Sequence, residues 1–399
     1  MSQSIYPVIL AAARTPMGRL GGALSSIPAP KLGAHVIRAV VERAGIEPEA
    51  VEEVFMGQVI PAGSGQAPAR QAAIFGGLPE SVGAVTLNKV CGSGLRAAMF
   101  AASAIRAGDG QLFVAGGMES MSLGPYMLPK ARFGYRLGHG EVLDATVYDG
   151  LIDPFNGLHM GNEAEWIART FNITREMQDQ FAYQSHMRAA RATEEGRFKE
   201  ELVPITVKQK RQEVVVARDE PIRPDTSMEA LARLKPAFEE GGTVTAGNAP
   251  PITDGAAALV VASQAYAEEI GAQPLARIVA YGYAAVEPKW IFSAPAKAIP
   301  KVLAKAGWTL DDVDLIELNE AFAAQALANG KELADMGWDW DKVNVHGGAI
   351  ALGHPIGASG ARILTTLIYA LKDRGLKRGI AALCLGGGEA VGMAVEMLT

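Results

Sequence analysis

The chain has 399 residues, of which 49% are apolar, so a large core and two or more domains are expected. A formal net charge of -6 argues against a general nucleic-acid binder. Two cysteines in so long a chain exclude a disulfide framework and fit a reducing, intracellular setting.

The amino-terminal segment predicts a buried first strand. Residues 5–13 form a continuous apolar run, which is typical of a strand inside a sheet. The run is short, no basic segment precedes it, and it ends at Arg14-Thr15-Pro16, so we expect a strand rather than a signal peptide. Since no apolar stretch approaches the length of a membrane span, a cytoplasmic location is expected.

The next elements are a helix, a strand and a second helix. Apolar residues share one face of the helix predicted over residues 31–44, and Gly45 ends it. A strand over 54–60 leads into a loop rich in glycine and proline over 61–69. A helix is predicted over 70–75.

Residues 84–119 predict a strand–turn–helix–strand unit around one cysteine. A strand over 85–90 ends at Cys91, a glycine turn follows, and a helix over 94–107 leads to a strand over 111–115. A helix amino terminus facing the thiol predicts a pKa below the reference value of about 8.5. The alternative is a small buried hydrophobic cysteine, which would not need the flanking glycines.

Residues 120–250 predict an inserted, loop-rich region. Periodic strands are scarce here, and a helix over 174–195 begins at the capping residue Thr174. Acidic residues interleave with the basic ones over 208–235, so either a solvated surface or an anion-binding face fits. The basic residues are Lys208, Lys210, Arg211, Arg218, Arg223, Arg233 and Lys235.

The remainder of the chain predicts a second α/β half. Its predicted strands cover 275–284, 313–318, 379–385 and 390–397, and its predicted helices cover 294–306, 321–336 and 362–374. A glycine-rich turn, Ser-Gly, arginine, helix and strand ending in glycines occur in this order near residues 91–117 and again near 359–387. This order predicts an internal duplication, with two similar halves packed face to face.

Three reactive side chains follow predicted turns: Cys91, His354 and Cys384. In a duplicated fold, matching strand ends converge on one cleft, where a histidine could activate a cysteine. Taken alone, His354 could be an ordinary turn residue and Cys384 a core residue. A metal site from these side chains stays open, but no short Cys-x-x-Cys or His-x-x-x-His spacing supports it.

Motifs along the whole chain resemble those of the thiolase family, in its acetyl-CoA acetyltransferase branch. They are NKVCGSG (88–94), AGGMESMS (115–122), HMG (159–161), GTVTAGNA (242–249), DGAAAL (254–259), NEAFA (319–323), GGAIALGHPIGASGAR (347–362) and CLGGGEA (384–390). The resemblance implies an α/β thiolase fold, in which two similar halves form a layered αβαβα core with an inserted loop domain. It also implies a homotetramer built as a dimer of dimers.

The resemblance also implies boundaries for these parts. The amino-terminal half would comprise residues 1–120 and 251–270 and carry Cys91. Residues 121–250 would form the loop domain, with CoA binding and oligomer contacts. Residues 271–399 would form the carboxy-terminal half with His354 and Cys384.

The activity implied is reversible condensation of two acetyl-CoA to acetoacetyl-CoA and CoA, or thiolytic cleavage, through an acetylated Cys91. His354 would take the thiol proton, and Asn319 would hold a water that stabilises an oxyanion. Cys384 would exchange the α-proton, and the N–H groups of Cys91 and Gly386 would form a second oxyanion hole. No metal or redox cofactor is expected, because CoA itself is the substrate.

The family's CoA contacts map onto nine positions of this chain, and His159-Met160 among them favours short acyl groups. The nine are Leu151, His159, Met160, Arg223, Ala237, Phe238, Ala246, Ile252 and Phe322. Pro250-Pro251 and Ala230 stand where relatives carry serine, which bears on CoA affinity.

Two alternatives remain. A broader 3-ketoacyl-CoA thiolase of fatty-acid or aromatic-acid breakdown would accept longer chains. A non-catalytic acyl-CoA or lipid-binding relative is disfavoured, because Cys91, His354 and Cys384 are all present. No nucleic-acid or membrane partner is expected.

Overall fold

The computed structural model describes residues 6–209 and 212–398 of the chain. Ile5 of the predicted first strand, and Lys210 and Arg211 of the predicted basic stretch, lie outside the described residues. Within the described ranges, no helix has the length and apolar character needed to cross a membrane.

Strands and helices alternate along most of the chain. The strands are β1 (Pro7–Arg14), β2 (Gly18–Arg19), β3 (Glu53–Gly57), β4 (Gly83–Leu87), β5 (Leu112–Ser120), β6 (Tyr126–Met127), β7 (Leu143–Asp144), β8 (Ile205–Gln209), β9 (Gln212–Val216), β10 (Thr253–Ser263), β11 (Ala276–Ala285), β12 (Leu315–Leu318), β13 (Arg378–Leu385) and β14 (Glu389–Met397). The helices are α1 (Ala29–Ala44), α2 (Pro68–Phe75), α3 (Ser93–Ala107), α4 (Ala145–Tyr148), α5 (Met160–Thr170), α6 (Arg175–Glu194), α7 (Met228–Ala232), α8 (Gln264–Glu269), α9 (Ala294–Ala306), α10 (Ala323–Glu332), α11 (Ala349–Leu352) and α12 (Ser359–Arg374).

The strands form a mixed sheet of ten strands whose two sides repeat one pattern. The order is β12-β13-β14-β11-β1-β10-β5-β3-β4, with β2 paired to β10. In each half a parallel pair (β3 with β5, β12 with β13) is followed by two antiparallel pairings. The matching strands β1 and β11 even carry matching bulges, between Ile9 and Ala11 and between Ile278 and Ala280.

Helices pack on the outer faces of the two halves of the sheet, and two further helices pack between the halves. Helices α1 and α2 pack on one face of the amino-terminal strands, and α9 packs on the outer face of the carboxy-terminal strands. Between the two halves lie α3 and α12, whose apolar residues share one core with β5, β10, β13 and β14. The predicted fold class, with two similar halves in αβαβα layers, is confirmed. The predicted boundaries of the three parts stay a prediction.

The two central helices touch at their amino-terminal ends through glycine. A Cβ atom on Gly94 would lie 2.6 Å from the backbone nitrogen of Ala361. One on Gly360 would lie 2.3 Å from the backbone nitrogen of Leu95. No side chain fits at these two positions, so the glycines let the helix backbones meet.

Several predicted boundaries differ from the structure. The strand predicted over 85–90 ends at Leu87, because the Ser93 hydroxyl accepts from the Lys89 N–H and donates to the Val90 carbonyl, which turns the chain early. The predicted helix over 321–336 is shorter, and the glycine-rich turn over 346–360 contains α11. The region 120–250 holds two hairpins and four helices. Thr174 does cap α6, accepting from Met177 N–H.

The central contact should be sensitive to one methyl group. We expect Gly360→Ala to lower the free energy of unfolding by about 1–3 kcal/mol, because the added Cβ would meet fixed backbone. The urea midpoint of unfolding would measure this. Gly282→Ala is the control, since its Cβ would find ordinary contacts at 3.5 Å or beyond. Equal midpoints for the two variants would contradict the close approach.

Candidate active site

One cavity of about 660 Å³ opens between the inserted region and the ends of the central strands. Its lining is mostly apolar. It includes Cys91, His354, Cys384 and Gly386, and the nine candidate CoA contacts Leu151, His159, Met160, Arg223, Ala237, Phe238, Ala246, Ile252 and Phe322. Asn319 is fully buried beside the cavity, with its Nδ2 atom 3.5 Å from His354 Nε2.

The backbone just before Cys91 is held in an uncommon conformation. Val90 has φ = 47°, which is rare for a β-branched residue and persists only where the surroundings enforce it. Asn88 Oδ1 accepts from Val90 N–H at 2.9 Å, and Ser93 Oγ donates to the Val90 carbonyl at 2.6 Å. The Val90 side chain packs against Gly386 across the cavity wall. The sequence analysis missed Val90, for which no local pattern gives a signal.

The prediction of a lowered pKa for Cys91 is wrong. Its side chain faces the cavity, but the protein around it excludes enough water to raise the pKa of the thiol to about 12. The backbone N–H groups of Cys91 and Gly386 lower the pKa, and the nearby carboxylate of Glu119 raises it. Burial outweighs the helix terminus, so Cys91 is a neutral thiol at pH 7 and needs a base.

His354 is the candidate for such a base. The Ser359 hydroxyl donates to the Pro355 carbonyl at 2.9 Å, so it accepts from His354 Nδ1–H at 2.6 Å. This fixes the proton on Nδ1 and leaves Nε2 as an acceptor, with the Asn319 Nδ2 donor 3.5 Å away. Burial lowers the pKa of His354 to about 3, so the ring is neutral at pH 7. The sequence analysis quoted Ser359 within a motif without assigning its role.

Buried side chains from other elements hold the His354 loop. Thr253 Oγ1 accepts from His354 N–H at 3.1 Å. The Glu119 carboxylate accepts from Val59 and Gly357 N–H at 2.9 Å and from Ile60 N–H at 3.2 Å. Burial raises the pKa of Glu119 to about 7, although these three donors favour its ionised form. A glutamate within an otherwise apolar strand was a signal for this residue.

Asn319 and Cys384 end neighbouring parallel strands. Asn319 N–H donates to the Ala382 carbonyl, and Asn319 Oδ1 has no hydrogen-bond partner among the described residues, which leaves a buried acceptor beside His354. Cys384 is buried near Phe292 and Phe322. Burial, together with the nearby Cys91, raises the pKa of Cys384 well above its usual range.

Aromatic side chains form the wall opposite the two thiols. His159 caps α5, accepting at Nδ1 from Gly161 N–H at 3.0 Å, so its proton lies on Nε2. Burial lowers the pKa of His159, and its ring stacks on Phe238 at 4.9 Å. Phe238 in turn contacts Phe322 edge to face. Met160 follows His159 in sequence, and its side chain lines the same cavity.

The two departures from the family pattern lie in different places. Pro250 and Pro251 line the cavity, and the Pro251 carbonyl accepts from the Thr253 hydroxyl that holds His354. Ala230 lies outside the cavity lining, with its N–H bonded to Ser227 Oγ. The described residues of the basic stretch are all exposed, and of these only Arg223 lines the cavity. They are Lys208, Arg218, Arg223, Arg233 and Lys235. No group of three or more His, Cys, Asp or Glu side chains within residues 6–209 and 212–398 is arranged to hold a metal ion.

Comparison with known proteins gives one family for the whole chain. The family model described as thiolase, N-terminal domain, matches residues 7–265, and the one described as thiolase, C-terminal domain, matches residues 272–397. The chain is 54% identical over 390 residues to the acetyl-CoA acetyltransferase of Cupriavidus necator, covering 98% of each chain. It is 52% identical over 392 residues to that of Escherichia coli, covering 98% and 99%.

Solved structures agree with the sequence comparison. The crystal structure of the Bacillus anthracis acetyl-CoA acetyltransferase superposes with a TM-score of 0.96 at 48% identity, covering 98% of this chain and 99% of that one. The acetyl-CoA acetyltransferase from Syntrophomonas wolfei also gives a TM-score of 0.96, at 42% identity.

The high pKa of Cys91 predicts how its alkylation depends on pH. We expect the rate of iodoacetamide reaction at Cys91 to keep rising above pH 8.5, because the thiolate fraction still grows there. Mass mapping of the Cys91 peptide over time would measure it, with Cys91→Ser reporting any reaction at Cys384. An alkylation rate that levels off below about pH 8.5 would instead indicate that the pKa of Cys91 is lowered, as the sequence predicted.

Proposed function

The chain belongs to the thiolase family, and from that premise we propose that it is an acetyl-CoA C-acetyltransferase. It condenses two acetyl-CoA to acetoacetyl-CoA and CoA, or runs the reaction in reverse. The observation that carries the proposal is the convergence of Cys91, His354 and Cys384 on one cavity, in a chain at least 50% identical to several proteins of that name.

In the first half-reaction, Cys91 Sγ attacks the thioester carbon of the first acetyl-CoA. Since thiol and imidazole are both neutral, the Cys91 proton moves to His354 Nε2 as the new C–S bond forms. The bond to CoA sulfur then breaks, and the CoA thiolate takes that proton and leaves. Two donors stabilise the developing oxyanion. One is a water held by Asn319 Oδ1, and the other is the protonated His354 ring.

In the second half-reaction, Cys384 passes its thiol proton to the neutral His354 Nε2 and, as a thiolate, removes an α-proton from the second acetyl-CoA. Its raised pKa makes its thiolate a strong base, which suits a weak carbon acid. The enolate carbon attacks the acetyl group on Cys91, and the Cys91 C–S bond breaks to release acetoacetyl-CoA. The Cys91 thiolate takes the proton from His354, which restores the starting state. The N–H groups of Cys91 and Gly386, which already point at the Cys91 sulfur, stabilise the tetrahedral oxyanion.

Substrate size follows from the walls of the cavity. The stacked His159 and Phe238 rings, together with the bulky Met160 and Phe322 side chains, line the cavity that holds the two thiols. This supports acetyl and acetoacetyl groups over long chains, and with them a role in acetyl-unit exchange of fatty-acid metabolism. CoA is a substrate in this scheme, with Arg223 at the cavity as a partner for its phosphates.

Assembly into a homotetramer is part of the proposal. Among the described residues, β4 pairs with β3 alone and so presents an open sheet edge with Val85 exposed. Separately, the β6–β7 region exposes Leu128, Phe133 and Leu137. Two such surfaces support a dimer of dimers. The cytoplasmic location stays a prediction.

Replacing each of the two cysteines should abolish a different step of the reaction. With acetyl-CoA, we expect Cys91→Ser to form no acetyl-cysteine. We expect Cys384→Ala to become acetylated at Cys91. Its condensation reaction should be at least about 100-fold slower, since proton abstraction is lost. Intact mass with peptide mapping measures the first result, and acetoacetyl-CoA formation measures the second. Normal condensation by Cys384→Ala would contradict the two-cysteine scheme.

The acyl chain length that the enzyme accepts can be determined from which substrates acylate Cys91. We expect acetoacetyl-CoA to acetylate Cys91, and a long-chain 3-ketoacyl-CoA to leave it unmodified. Met160→Ala should admit longer chains, because it removes part of the wall beside the thiols. Met177→Ala, which packs in the same apolar cluster outside the cavity lining, is the control. Acylation of the unaltered enzyme by both substrates would instead indicate a broad 3-ketoacyl-CoA thiolase.

A further inference from the structure

A second cavity, of about 350 Å³, lies at the carboxy-terminal ends of α6 and α12. We propose that it binds the phosphate group of a small molecule, at a site separate from the acyl-transfer cavity. Four arginines and a histidine line it: Arg188, Arg191, Arg197, Arg374 and His346. We call it the arginine cavity.

The charges in the arginine cavity are unbalanced. Its two carboxylates, Glu195 and Asp373, both pair with Arg197, through Nε at 3.0 Å and Nη1 at 2.7 Å. Arg188, Arg191 and Arg374 form no ion pair with any carboxylate in the part of the chain that the structure describes. With four arginines against two carboxylates, and apart from His346, the wall carries a net charge of +2, which attracts an anion.

His346 gives the second, independent observation. It is 6% exposed and lines the cavity, and its ring makes no hydrogen bond to a described residue. Its one defined ring contact is the edge of Phe198 at 5.9 Å. Since neither ring nitrogen is bonded to a described residue, the ring is free to hydrogen-bond to a ligand in the cavity. Burial and the charge of Arg374 lower the pKa of His346 to about 4, so the neutral ring offers one N–H donor.

Phosphate fits this set of donors. A guanidinium presents paired N–H groups at the spacing of phosphate oxygens, and three of them with one imidazole N–H can surround a tetrahedral dianion. The volume exceeds that of phosphate alone and is within the range of small-molecule sites. Arginines also occur at helix carboxy termini to offset the helix dipole, which could explain Arg191 and Arg374. That effect does not account for His346, whose ring lines the cavity without a hydrogen bond to a described residue.

A cavity-lining arginine also bonds to the segment that positions Asn319 of the proposed active site. Arg188 Nη1 donates to the Val343 carbonyl at 2.7 Å. The next side chain, Asn344, bonds to both backbone groups of Leu318, at 2.9 and 2.8 Å, directly before Asn319. His346 begins the segment that leads to His354. A ligand held by Arg188 and His346 is therefore placed to alter acyl transfer.

Calorimetric titration of the full-length enzyme tests the proposal, with inorganic phosphate and glycerol 2-phosphate as probes in separate experiments. We expect one site per chain. The double variant Arg191→Gln/Arg374→Gln should weaken binding at least about tenfold, since each charge-assisted contact contributes roughly that much. His346→Ala should also weaken it. The matched control is Lys301→Gln/Lys377→Gln, which removes two exposed charges outside the cavity and should leave affinity unchanged.

Each outcome decides something about the site. Tighter binding of glycerol 2-phosphate would identify a phosphorylated small molecule as the ligand, and equal binding would identify free phosphate; both support the site if the cavity variants lose affinity. Failure of both probes to bind would overturn the proposal. So would affinity that survives in Arg191→Gln/Arg374→Gln, or that falls equally in the lysine control. Acetoacetyl-CoA formation by each variant, without probe, checks that the fold and the acyl-transfer site are intact.

Discussion

The contact between the first turns of α3 and α12 organises the molecule. Gly94 and Gly360 allow the two backbones to meet inside the sheet layers, where any larger residue would separate them. Cys91 lies two residues before the start of α3, and the loop that carries His354 directly precedes α12. The close approach of the helices therefore also sets the distance between the proposed nucleophile and its base. A duplicated fold gives each half one of the two groups, so neither half alone contains the site.

Burial then decides the protonation states at this junction. The same exclusion of water raises the pKa of Cys91 to about 12 and lowers that of His354 to about 3. Both groups are thus neutral at pH 7, and in the proposed mechanism charge develops only as the thiol attacks. Ser359 and Glu119 matter because they orient this pair through hydrogen bonds, one by fixing the tautomer and one by tying the His354 loop to the loop after β3.

The two cavities differ in the chemistry that they offer. The cavity at Cys91 is walled by apolar and aromatic side chains, with few polar atoms placed at the reacting centre. The arginine cavity is basic and has no cysteine in its lining. Both cavities are lined in part by residues between Asn319 and His354. Within that segment, the Asn344 side chain bonds to Leu318 and Glu320, on either side of Asn319.

The sequence by itself determined the fold class, the duplication and the family, because those depend on apolar periodicity and on motifs whose residues lie close together along the chain. It also predicted Cys91, His354 and Cys384 as the reactive groups, and all three line one cavity. Only the tertiary structure decided the direction of the Cys91 pKa, the conformation of Val90 and the contacts of Glu119 and Ser359. It likewise brought Arg188, His346 and Arg374 into one cavity. These properties arise from water exclusion and from contacts between residues far apart in sequence, for which a linear pattern carries no signal.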